Sequence, residues 1–101
     1  MRDLEKAVFD AAREQLSAFS DKLRDRAVTW VIDHELWESD DSKYTSEIRV
    51  TFWRNGDVLD IFEHHIYQDG RLLTTREEAN EWFRKELDEL IQTFDPAKNH
   101  L

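Results

Sequence analysis

Residues 44–67 read YTSEIRVTFWRNGDVLDIFEHHIY, and the Asn55-Gly56 pair near their middle decides how the chain folds. Runs rich in β-branched and aromatic residues flank that pair. A type I′ hairpin turn needs positive φ at both central positions, which Asn and Gly adopt most readily. A two-residue loop there sets Arg54 opposite Asp57. Counting away in strict alternation pairs Phe52 with Leu59, Val50 with Ile61, Ile48 with Glu63, Ser46 with His65 and Tyr44 with Tyr67. That row is mostly apolar, so it is the expected core face.

The preceding stretch, Val28-Thr29-Trp30-Val31-Ile32 onward, reads as another strand over 28–38, joined to the 44–54 strand by the polar loop 39–43. Pairing Glu38 with Tyr44 brings Trp30 beside Phe52, Ile32 beside Val50 and Leu36 beside Ser46. Both hairpins then put their apolar residues on one face, and a slip of one residue in either would scramble that agreement. The third strand covers 57–67. Gln68-Asp69-Gly70-Arg71 follows as a turn, and then come Leu72 and Leu73.

Helices flank this meander. Leu4, Val8, Ala11, Ala12, Leu16, Phe19 and Leu23 recur at three- and four-residue steps, predicting an amphipathic helix over 3–26. Neither glycine nor proline marks its end. A second helix is expected over 75–94, opened by the capping box Thr75/Glu78, with Thr74/Glu77 as the other frame. Its stripe is Ala79, Phe83, Leu87, Leu90, Ile91 and Phe94; Asp95-Pro96 ends it, and 95–101 reads as a tail. The expectation is therefore a single α+β domain: helix, three-stranded antiparallel meander, helix, with both helices on one face of the sheet.

Composition limits what such a domain does. The 101 residues carry 23 acidic and 14 basic side chains, for a net charge of −9, which disfavours direct nucleic-acid binding and favours basic protein partners. The chain has no cysteine, so disulfides, thiolate metal sites and cysteine nucleophiles are excluded, and a reducing cytoplasm is the expected location. No apolar run is long enough to span a membrane, and Asp3, Glu5 and Asp10 argue against a signal peptide. Glycine-rich phosphate loops, HExxH, a nucleophile elbow and an EF-hand loop are all missing, so neither catalytic residue nor cofactor is expected.

The strict register also sorts side chains onto a second face. Val31, Trp37, Trp53, Val58, Phe62 and Ile66 gather there, more apolar surface than a solvated sheet face normally carries, and they are the candidate contact residues for a protein partner or a homodimer. Glu35, Glu47 and His64 line up across the same face, either as ordinary charge pairing or as a weak metal-ligand set. His34, Glu63 and His65 fall at the polar end of the core face, where they either hydrogen-bond at a sheet edge or line a small-ligand or acid–base site between helices and sheet, which would make the chain a small-molecule binder or a minor enzyme.

The helix–three strands–helix order is similar in topology to that of double-stranded RNA-binding domains. That family places a lysine cluster at the start of its last helix. Here Arg76-Glu77-Glu78 stands in that place and no GPxH-like loop precedes it, so the resemblance implies no functional residue.

Overall fold

Both residues of the decisive turn hold a left-handed backbone, with φ 53° at Asn55 and 84° at Gly56. The computed structural model describes residues 2–94. Its elements are α1 (Asp3–Ala18), α2 (Ser20–Asp25), β1 (Thr29–Glu38), β2 (Tyr44–Arg54), β3 (Asp57–Gln68), β4 (Arg71–Leu72) and α3 (Arg76–Thr93). The class is α+β, with an antiparallel sheet in the order β1-β2-β3-β4. The sheet has four strands rather than three. Asp69 and Gly70 also take positive φ, 51° and 80°, and close a second tight hairpin that pairs Gln68 with Arg71 and Tyr67 with Leu72. The stretch expected 95–101 tail lies outside the described residues.

The first helix is interrupted at Phe19, whose ψ opens to 2°. Its end is a Schellman motif built without glycine. Val28 N–H donates to Leu23 O and Ala27 N–H to Arg24 O, both at 2.9 Å, while Ala27 sits at φ 58°. Leu23 and Val28, buried at the two ends of the longer bond, supply the accompanying apolar contact. A Cβ in the left-handed region is strained, whereas glycine is not. Ala27→Gly is therefore expected to stabilise the fold by about 0.5–1 kcal/mol, read as a higher urea midpoint at unchanged slope.

The β1–β2 register follows the sequence reading: Trp30 faces Phe52, Ile32 faces Val50, Leu36 faces Ser46 and Glu38 faces Tyr44. Between β2 and β3 that reading is corrected. Trp53 faces Val58, but Phe52 faces Asp60 rather than Leu59, because Leu59 is an extra residue on β3. From there Val50 faces Phe62 and Ile48 faces His64. Ile66 is a second extra residue, so Ser46 faces Tyr67.

The energetic reason is visible in what each register buries. Strict alternation would set Glu63 and His65 under the helices and leave Phe62 and Ile66 in water. Burying a Phe or Ile side chain stabilises by about 1.5–3 kcal/mol, and an unpartnered buried carboxylate costs more than that. The bulge reverses the sorting, and Phe62 and Ile66 become 4% and 0% exposed.

All three helices contribute to one core against this face. Val8, Ala12 and Leu16 of α1, Leu23 of α2, and Phe83, Leu87 and Ile91 of α3 pack with Ile48, Val50 and Phe52 of the central strand. Phe52 and Phe62 rings meet at 4.6 Å, and Phe62 continues edge-on into Trp82 of α3 at 6.0 Å. Thr75 caps α3 by accepting from Glu78 N–H at 3.1 Å. The result is a two-layer plate, 54 × 26 × 16 Å along its principal axes. No helix among the described residues is long and apolar enough to cross a membrane.

Candidate interaction face

The helices leave the opposite side of the sheet uncovered. Val31 and Trp37 of β1 are 50% and 49% exposed, and Val58 of β3 is 56% exposed. Trp53, paired with Thr29 and Val58, is half-buried on the same side. Phe62 and Ile66 do not belong to this face. The bulge takes them into the core and brings Ile61, 46% exposed, out opposite Thr51.

A charged network crosses the middle of the face. Arg49 places its guanidinium 3.0 Å from Glu47 Oε1, 3.6 Å from Glu63 Oε1 and 4.0 Å from Glu35 Oε1. Glu47 is almost wholly buried, and its other oxygen, Oε2, lies 3.4 Å from His65 Nε2 without a hydrogen-bond partner. One guanidinium thus serves three carboxylates and occupies the place where a cation would sit. Among the described residues no group of three or more His, Cys, Asp or Glu is arranged to hold a metal ion.

Neither polar trio expected from the sequence is brought together. Glu35 and Glu47 are cross-strand neighbours on the open face, but His64 is on the core side and His65 completes their row instead. His34 is on the core side, whereas Glu63 and His65 lie on the open face, so these three line no common pocket. The two largest of the grooves described are lined by other residues. A groove of about 470 Å³ is lined by Leu23, Arg24, Val28 and Trp30, and one of about 350 Å³ by Leu59, Asp60, Glu86 and Leu90.

His64 packs against Trp82 and Phe83, with ring centroids 4.9 and 5.5 Å away, and its Nε2 is 2.9 Å from Thr74 Oγ1. Burial lowers its pKa from the ordinary imidazole value; the charge of His65 acts in the same direction and Glu78 opposes it. The unfolded chain therefore takes up this proton first on acidification. The stability owed to neutral His64 is complete above about pH 6.5 and is lost as pH falls through the folded-state pKa. Urea titrations from about pH 7.5 to about pH 5 are expected to show a steeper loss for the wild type than for His64→Leu. Equal slopes would contradict this.

One polar cluster was missed by the sequence reading. Glu5 of α1 is fully buried; it accepts from Tyr44 Oη–H at 2.9 Å, and His34 Nε2 lies 2.7 Å from the same oxygen, Oε2. The His34 contact does not meet hydrogen-bond geometry despite its length, and Glu5 Oε1 and Ser46 Oγ are likewise buried without a hydrogen-bond partner. Arg2 stacks over the Tyr44 ring at 3.8 Å and covers the cluster from the end of the helix. Burial, and then the Glu5 carboxylate, push the Tyr44 phenol above its ordinary pKa. The available signal was Glu5 itself, which falls three residues before Val8 on the apolar stripe.

Compared with known protein families, with curated proteins and with solved structures, the chain has no match.

Proposed function

We propose that this chain is a non-enzymatic interaction module that takes a basic protein partner on the open face of its sheet. The observation carrying the reading is the group Val31, Trp37, Val58 and Ile61, each about half exposed on a face that no helix among the described residues covers. Exposed apolar and aromatic side chains framed by polar ones are the usual composition of contact surfaces, and aromatics dominate their energetics. The frame here is mainly carboxylate, from Asp33, Glu35 and Glu63, on a chain of net charge −9. A positive partner surface is the complement of such a field, in affinity and in rate of encounter. Regulation or inhibition of a basic protein is the role that fits.

A second copy of the chain would meet the same apolar residues but would bring two sets of carboxylates together. Sedimentation at low ionic strength is therefore expected to give a monomer. A dimer abolished by Val58→Asp would replace the proposal with self-association.

The direct test is affinity purification from the native host followed by mass spectrometry, with the wild type and Trp37→Asp/Val58→Asp side by side. Both substituted side chains are half exposed, so the fold is expected to survive, as circular dichroism would verify. A basic polypeptide retained by the wild type, released by salt and absent from the variant is the expected result. Equal retention by both proteins would remove the open face from the account.

A further inference from the structure

Among the described residues β1 is an edge of the sheet, hydrogen-bonded to β2 on one side and to no strand on the other. Its ten residues run in unbroken register with β2, without a bulge or a proline. Alternate residues of such a strand turn their N–H and C=O groups outward, ready to pair with another chain. The opposite side of the sheet is protected differently, by two bulges in β3 and the short β4 hairpin. Charge alone guards β1. Asp33 makes no ion pair among the described residues, and Glu35 meets Arg49 only at 4.0 Å.

That protection is selective. Consider two β1 strands pairing antiparallel with both helical layers on the same side. The two registers of greatest overlap set Asp33 against Asp33 or Asp33 against Glu35, and like charges directly opposite are destabilising. A basic strand meets the reverse situation. Along the open face β1 presents Val31, Asp33, Glu35 and Trp37 in succession, an apolar–acidic–acidic–apolar row. Its complement is an extended segment with two basic residues between two apolar ones on one face.

We propose that the free edge of β1 accepts an extended basic segment of the partner as an added strand, with basic side chains opposite Asp33 and Glu35 and apolar ones opposite Val31 and Trp37. This rests on the reading of the open face given above and states how the partner engages it. Backbone hydrogen bonds supply the register, and the four side chains supply the choice of sequence.

The test uses the full chain and three synthetic nonapeptides: TVTKTKTVT, its acidic counterpart TVTETETVT, and the basic peptide N-methylated along its backbone. The basic peptide is expected to slow exchange of alternate β1 amides at least tenfold by NMR. The acidic and N-methylated peptides are expected to bind at least tenfold more weakly. Asp33→Lys/Glu35→Lys is expected to reverse the preference towards TVTETETVT. Equal binding of the plain and N-methylated basic peptides overturns the added strand. If Val58→Asp/Ile61→Asp still weakens that binding, the open-face reading survives alone. Binding that needs the backbone N–H groups but ignores Val58 and Ile61 keeps the added strand and removes the broader face. No binding by any peptide, or a dimer formed through β1, overturns the proposal.

Discussion

Phe62→Ala is expected to lower the unfolding free energy by about 3–5 kcal/mol, while the neighbouring Ile61→Ala costs only about 1 kcal/mol. The contrast follows from the bulge at Leu59. Phe62 is 4% exposed and packs its ring on Phe52 and Trp82, so truncation leaves a cavity walled by aromatic rings. Ile61 is 46% exposed, and water already meets much of its side chain. Strict alternation from the Asn55-Gly56 turn makes the opposite prediction for the pair. Urea denaturation of the two variants therefore tests the register itself, and comparable losses would mean that the bulge is misplaced.

The second large effect belongs to the carboxylate under α1. Tyr44→Phe/His34→Leu removes the hydroxyl that donates to Glu5 and the imidazole beside it, and leaves a fully buried carboxylate with no partner. Isolating one member of a buried charged group in this way costs about 3–5 kcal/mol. Adding Glu5→Leu to the double variant is expected to recover most of that loss, since an apolar residue of similar volume suits the vacated site. Glu5→Leu alone should be milder than the double variant, because Tyr44 and His34 carry no obligate charge. If the triple variant were no more stable than the double one, the cost would lie in packing rather than in the stranded charge.

These two predictions mark where the sequence was legible and where it was not. The Asn55-Gly56 turn, the Thr75 cap and the β1–β2 pairing follow from local chemistry, since positive φ, a capping hydroxyl and two-residue periodicity each act within a few positions. A bulge does not. It depends on which of two competing faces packs better against helices distant in the chain, and strict counting has no way to pay for an extra residue. A signal was nevertheless present, for the strict register loaded six large apolar residues onto the face meant for water and left Glu63 and His65 facing the core. Moving β3 by one residue after Val58 turns Glu63 and His65 outward and takes Phe62 and Ile66 into the core, with Ile61 coming out in exchange.

The candidate site was legible to the same extent. Val31, Trp37, Trp53 and Val58 keep their assigned face because they lie on β1 and β2 or before the bulge. Phe62, Ile66, His64, Glu63 and His65 all lie beyond it and all change sides. The Schellman end of the first helix was hidden for another reason. Alanine occupies the left-handed position that normally announces itself as glycine, so the stop is recorded in backbone geometry rather than in residue type.

The plate-like shape has a practical consequence for counting copies. The radius of gyration of 15.1 Å exceeds the roughly 13 Å typical of a compact chain of this length. A body three times longer than it is thick drags more solvent than a sphere of equal mass. Its Stokes radius is correspondingly large, and a single copy elutes from a sizing column where a heavier globule would. Light scattering, which weighs the particle irrespective of its outline, is the measurement that separates an elongated monomer from a true pair.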